Sequence, residues 1–542
     1  MRLFRPLPRG LTRALSVLAI AAWLVQMVVL IRHAHSSAPV ALAADLTHYG
    51  SSAKWSGIYY RGDKIGFSVG QTTPIEDGYE IREDGRYQMV LLGSPTAVST
   101  STLAVVDRAF ALRRFEFSLD PGTGPTVISG QLEGRRLHLK ISNTAGEREE
   151  VRELDEAPAL PLNLPRSLAA RGLEAGQTFE VSVFDPTSLR NAPMTVEVQA
   201  REVVRAAGRP VPAFRVESRF AGVVTRSWIT DVGEVVKEES PTGFLVIRET
   251  PERARTLAVP GQVQTDLLQA AALVPSPPTR IDDPTTVELL RVRISGIEGF
   301  EEADLQGAGQ SWSEGVIEVR DPRGLLPGPR DPDLERYTRP EPFIESDAEP
   351  IRAEAERGVA LATDDPRSRA EHLLRHVHSL LEKKPTVSLP SALEVLKTRV
   401  GDCNEHTALY VAMARSLEIP ARIAVGLVYM SGSMGGAFYY HAWAEVWIAE
   451  EDGRGLWLPV DPTLNQFPAD ATHVRLVRGG LDRQAAILGL FGQAELSVVD
   501  LQLRPGSTPI LVGQGNAALP PLDLPVPSRD GSGSSCWSRP GR

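Results

Sequence analysis

Cysteine is almost missing from this sequence: its 542 residues hold two, Cys403 and Cys536. A disulfide framework is thereby excluded. The one bridge they could form would tie Cys403 to a Gly-, Ser- and Pro-rich tail, residues 530–542, whose composition is that of a disordered end. Cys403 therefore reads as a free thiol, and Cys536 has no assigned role. Positive charge is in deficit, 58 Lys and Arg against 68 Asp and Glu. The formal net charge is −10, and no concentrated Lys/Arg stripe occurs beyond the extreme N-terminus, which excludes a general nucleic-acid binder.

One long uncharged apolar run is present, residues 14–31. Arg2, Arg5, Arg9 and Arg13 precede it and Arg32 ends it. Its eighteen residues would span about 27 Å as a helix, close to the hydrocarbon thickness of a bilayer. A cleavable signal has a shorter apolar core with its cleavage site close behind, whereas Ala41-Leu42-Ala43-Ala44 comes well after the run. Residues 1–35 are thus expected to be an uncleaved signal-anchor. Its arginine-rich end stays in the cytoplasm, and everything after Arg32 lies outside a bacterial inner membrane, in the periplasm.

The length exceeds what one core usually spans, so several domains are expected. From 45 to 250 the pattern is that of half-buried antiparallel strands with helix nearly absent. Ile65, Phe67 and Val69 alternate with small or polar residues, as do Leu137, Leu139 and Ile141, then Phe179, Val181 and Val183. Turn signals such as Arg61-Gly62-Asp63 and Glu76-Asp77-Gly78 separate them, which predicts a β-sandwich or open barrel. Residues 251–285 read as a linker with one short helix around 265–273, and 286–320 as a smaller β segment. Residues 321–347, dense in proline and charge, read as a second linker.

Beyond that point the period becomes helical. Asp365 caps, Pro366 takes the first helical position, and Ala370, Leu373, Leu374, Val377, Leu380 and Leu381 form one stripe. His372 and His376 lie four apart on this helix, a metal-binding spacing, but without a third ligand they read as a solvated face. A chemistry-bearing region is placed at 348–480, followed by a C-terminal extension, 481–542, disordered toward its end.

Three fragments within 348–480 carry the chemistry: Gly401-Asp402-Cys403, Tyr440-His441-Ala442-Trp443-Ala444-Glu445, and Val460-Asp461-Pro462-Thr463. Good helix formers follow Cys403, which places it at a helix N-terminus. The unpaired N–H groups there favour negative charge, so a stabilised thiolate is expected. His441 opens an alternating strand and can serve as general base, while Asp461, at a strand end, can orient the imidazole.

With Ile419-Pro420-Ala421-Arg422, these fragments resemble the transglutaminase-like superfamily, whose fold is related to papain. The resemblance implies Cys403 as nucleophile, His441 as base and Asp461 as orienting acid, with no cofactor and no metal. The fold class expected is multidomain, an N-terminal antiparallel all-β region followed by an α+β transglutaminase-like (papain-like cysteine) domain. The implied activity is acyl transfer or hydrolysis at amide bonds of a protein or peptide, in the cell envelope. A catalytically silent papain-like module binding an envelope protein partner is the alternative reading. A third is a metal site built from Cys403, His406, His441 and Asp461. His406, one turn past the cysteine, is expected to be packed, and residues 431–436 to form a mobile lip over the cleft.

Overall fold

One apolar residue in two is what turns the first half of the chain into a sheet. Ile65, Phe67 and Val69 are buried side by side on one strand, and Leu137, Leu139 and Ile141 on another. The structure, a computed structural model, describes residues 49–504 apart from 221, 258–264, 298–299, 432–435 and several positions between 481 and 493, together with 510 and 511. The apolar run 14–31, residues 41–44, Cys536 and most of the 431–436 loop lie outside the described residues. Among the described residues no helix is long and apolar enough to cross a membrane. Residues Trp55–Arg542 make up one unit, distinct from Met1–Lys54.

Fourteen strands form a single antiparallel sheet, so the alternating pattern gives the strands correctly, but they are not divided into the two sheets of a sandwich. The chain enters at its centre with Lys54–Tyr60 and meanders outward to one edge, Gly146–Glu153. It re-enters at the opposite edge with Thr178–Asp185 and meanders back to Phe244–Glu249, which pairs with the first strand from Trp55↔Glu249 to Tyr60↔Phe244. The helix Leu164–Ala170 makes the crossing between edges. Its Leu164 and Leu168 close over Val183, Val196, Val198 and Val216.

The chemistry-bearing region is a mixed α+β body. Its antiparallel four-stranded sheet runs Gly455–Val460, Ala437–Ala449, Ala421–Met430, Val474–Arg478 across its width. The helix Cys403–Ser416 packs on that sheet and is buried on every side from Glu405 to Ser416, as a helix at the centre of a core must be. Gly426 allows the edge strand to approach, since a Cβ there would lie 2.0 Å from the Val474 carbonyl.

The connecting segments are more than spacers. In residues 321–347 proline and charge suppress regular elements, yet side chains anchor the segment. Leu334 packs with Trp447 and Trp457, and the Trp457 indole donates to Asp331 at 2.8 Å. Arg415 donates to the Arg339 carbonyl, and Phe343 inserts into the core of the large sheet beside Phe115 and Leu137. In 251–285, Leu273 exchanges two backbone hydrogen bonds with Phe438, and the short helix there covers Leu267–Ala270. The smaller β segment also finds its partner far away. Val287–Ile294 pairs with Leu496–Leu503 of the C-terminal extension, and Val287, Leu290 and Val292 share one core with the central helix.

A buried ion cluster pins the four-stranded sheet. Glu445 faces Arg422 across the strand pair and accepts from its Nε at 2.7 Å and from Arg478 Nε at 3.1 Å; Arg475 donates to its other oxygen. Burial alone would push the Glu445 carboxyl up, but the three guanidiniums outweigh it and hold it far below the carboxylate range. The Arg422 guanidinium also stacks on Trp457, 3.8 Å from the ring centroid. Removing one partner of a buried ion pair costs about 3–5 kcal/mol. Glu445→Ala is therefore expected to unfold at markedly lower denaturant than wild type at pH 7, followed by tryptophan fluorescence. A depressed carboxyl contributes its stability above the unfolded value of about 4.3 and loses it only as pH falls further, so the loss should be equal at pH 5.5. An unchanged midpoint would show that the cluster does not hold the sheet.

Candidate active site

Gly401, Asp402 and Glu405 shape the turn that presents the thiol. A Cβ on Gly401 would lie 2.2 Å from the Glu405 Cβ, so only glycine fits. The Asp402 side chain accepts from the Asn404 amide at 3.0 Å, and Glu405 accepts from the Asp402 amide at 2.9 Å, a reciprocal cap. Cys403 is then the first helical residue, a half-buried free thiol. The backbone of Ala442, on the strand Ala437–Ala449, acts on the thiol in the direction that favours its charged form.

The expected low-pKa thiolate is not what this environment makes. Burial pushes the Cys403 thiol well up, and the charges of Asp402, Glu405 and Asp461 push the same way; the Ala442 backbone opposes them only in part. The carboxylates that cap the helix bring negative charge to the very terminus whose dipole was expected to favour it. The resting group is a neutral thiol.

His441 lies next to Ala442 on the strand Ala437–Ala449 and is buried. Its Nε2 donates to Asp461 Oδ2 at 2.7 Å. Asp461 follows the strand Gly455–Val460 and is fully buried. Its Oδ1 accepts from the Thr463 and Leu464 amides at 2.7 and 2.9 Å. Burial raises the Asp461 carboxyl, but its imidazole partners outweigh this and keep it ionised. The structure thus pairs His441 with Asp461, and places Cys403 at a helix start where the Ala442 backbone and the Asp461 charge both act on it.

A second histidine shares the carboxylate. His473, 1% exposed at its side chain, places Nε2 3.1 Å from the same Asp461 Oδ2. Trp443 packs against both imidazoles, 6.3 Å from His441 and 5.2 Å from His473 between ring centroids. Sequence reasoning missed His473. The available signal was a histidine directly before the strand-like Val474-Arg475-Leu476-Val477, and nothing in its spacing ties it to Asp461.

Three other histidines that the sequence singles out have local uses. His406 is buried, its Nδ1 donates to the Asp402 carbonyl at 2.7 Å, and burial pushes it down to about 4, so it is neutral and packed. His372 donates to the Ser368 carbonyl and His376 meets Glu354 at 2.7 Å, each serving its own surroundings. Potential ligand atoms of His441, Asp461 and His473 lie within 4.8 Å of one another. This set is not the Cys403, His406, His441, Asp461 quartet, and its two imidazoles are satisfied by hydrogen bonds to Asp461.

Residues 354–462 match the family described as the Transglutaminase-like superfamily, a stretch that takes in Cys403, His441 and Asp461 but stops short of His473. Uncharacterized proteins of Mycobacterium tuberculosis and Mycobacterium bovis are 33% identical to this chain over 91 residues. That overlap is 16% of this chain, and it spans 29% of the length of these curated relatives. Among solved structures, a beta-barrel-like protein of a domain of unknown function from Brucella abortus is 14% identical, covering 36% of this chain and 95% of that one, TM-score 0.30. A protein of Cytophaga hutchinsonii described as a candidate cysteine protease is 17% identical, over 46% of this chain and 85% of that one, TM-score 0.24. The periplasmic domain of TgpA from Pseudomonas aeruginosa bound to ethylmercury is 21% identical, over 28% and 56%, TM-score 0.21. Residues 354–462 of this chain are a transglutaminase-like superfamily domain.

Proposed function

We propose that this chain is a cysteine-dependent enzyme acting on amide bonds of a protein or peptide, with Cys403 as nucleophile, His441 as base and Asp461 as the group that orients it. One observation carries the reading. Adjacent residues of one strand serve both partners: the Ala442 backbone favours negative charge on Cys403, while His441 commits Nε2 to Asp461. Nδ1 is then the ring nitrogen available to the thiol.

Because the thiol rests neutral, His441 takes its proton as the sulfur attacks the carbonyl carbon. The carbonyl oxygen carries the negative charge of the tetrahedral intermediate. On collapse the C–N bond breaks, His441 returns the proton to the leaving amine or ammonia, and a thioester remains on Cys403. Water, deprotonated by His441, then releases the acid; an amine in its place would give transfer. We favour hydrolysis, since no feature for accepting a lysine is recognisable in the sequence. The apolar run 14–31 supports an inner-membrane anchor, with the rest of the chain periplasmic and the β region open to contact with an envelope protein.

A second reading, a binding module without chemistry, has in its favour the burial of His441 and the high thiol. Reactivity separates the two. In wild type, His441 accepts the proton as the sulfur reacts, so iodoacetamide labelling of Cys403 should proceed at pH 7 despite the raised thiol. In His441→Ala the raised thiol loses its proton acceptor, so its labelling should be delayed to pH values above the ordinary thiol range of about 8.5. Equal profiles in both proteins, followed by mass spectrometry, would favour the binding module. On an amide substrate, Cys403→Ala should abolish turnover and His441→Ala lower kcat by on the order of 10²–10⁴. With a glutamine peptide and a primary amine present together, free glutamate is the expected product, and exclusive amine incorporation would overturn hydrolysis.

A further inference from the structure

Both ring nitrogens of His473 point at atoms that can only accept. Nε2 lies 3.1 Å from Asp461 Oδ2, and Nδ1 lies 3.1 Å from the Asp470 carbonyl and 3.4 Å from Asp470 Oδ1. A neutral imidazole has one N–H and would leave one of these pairs facing lone pair to lone pair. Only the doubly protonated ring satisfies both, so His473 is an imidazolium.

The surroundings are built to keep it so. Asp470 accepts from the Thr472 amide and hydroxyl at 2.9 and 2.6 Å and from Gln466 Nε2 at 2.8 Å. Gln466 in turn exchanges two backbone hydrogen bonds with Asp461, both 2.9 Å, so one short loop fixes both aspartates around the ring. Burial disfavours the His473 cation, but Asp461 and Asp470 outweigh it and raise the group to about 10; Asp470 is held down to about 2.

We propose that His473 is a positioning residue, a fixed imidazolium that shares the Asp461 charge with His441 so that Asp461 orients the base without loading it with a proton. The inference rests on the reading of His441 as base. A buried carboxylate facing one imidazole stabilises the protonated ring, and a ring already protonated cannot take the thiol proton. With a second imidazolium on the same oxygen, and its ring centroid 5.8 Å from that of His441, the Asp461 field at His441 is largely offset. The other titratable groups in the field of Asp461 are Cys403, His406, His378 and Lys383. Tyr440, the neighbour of His441 on its strand, feels Cys403 and Asp402.

The test is histidine NMR on the full chain carrying Cys403→Ala, with ¹³C-labelled imidazoles and the His441 signal assigned by its loss in His441→Gln. Adding His473→Gln keeps an N–H donor for Asp461 but removes the charge, and should raise the His441 titration midpoint by about one pH unit or more. Asp470→Asn, which weakens the hold on the His473 cation, should move it the same way by less. If His473→Gln does not fold, the Asp470→Asn shift decides. An unmoved midpoint in the folded variants overturns the proposal, and a purely structural role would lower the melting temperature without moving it. The midpoint does not depend on Cys403 chemistry. Failure of the enzyme reading would appear instead as amide turnover surviving Cys403→Ala.

Discussion

The structure around the site depends on one buried carboxylate. Glu445 sits two turns of the strand pleat from His441 on the same strand face and gathers three guanidiniums from two neighbouring strands. Each of those arginines fixes a register. Arg422 locks the strand Ala421–Met430, while Arg475 and Arg478 lock Val474–Arg478. Arg475 also donates to the carbonyls of Asp304, Gln306 and Gly307, which ties the sheet to the segment before it. Since His473 lies two residues before Arg475, the same clamp that aligns the strands delivers this imidazole to Asp461. A salt cluster of this kind is expensive to desolvate, and its return here is positional accuracy.

The site itself is a nested set of small constraints. Gly401 lets Glu405 fold back on the helix start, the cap holds Cys403 at the first helical position, and the strand next to it supplies Ala442 and His441 together. Asp461 is held by two backbone amides on one oxygen and two imidazoles on the other, so it cannot turn. The carboxylates that make this geometry rigid also raise the thiol. The arrangement gives up a preformed thiolate and holds the His441 imidazole rigidly in place.

Much of this was legible because the signals are local. Period-two runs such as Ile65, Phe67 and Val69 announce strands, and the fragments around Cys403, His441 and Asp461 each carry their own helix-start, strand or strand-end signature. What stayed hidden is long-range. The pairing of Val287–Ile294 with Leu496–Leu503 joins positions that no periodicity connects. The proline-rich stretch 321–347 reads as a spacer because composition reports the absence of helix and strand, and is silent on the anchoring of Leu334 and Phe343. His473 was invisible for the same reason, and the thiolate expectation failed because a dipole argument counted the helix and left out its capping carboxylates.

The pairing of those two distant strands also decides how the region answers force. Val287 lies opposite Leu503, and beyond them Thr279–Arg280 pairs with Ile510–Leu511, so the segment ahead of the transglutaminase-like domain and the C-terminal extension run together as one interrupted antiparallel pair. Tension along the chain would load that pair from its open end and part its hydrogen bonds one after another, as a zipper, with no shearing of the whole ladder at once. The strand Leu496–Leu503 would part in this way, while on the other side the pull would reach the strand of His441 through the hydrogen bonds of Leu273 to Phe438.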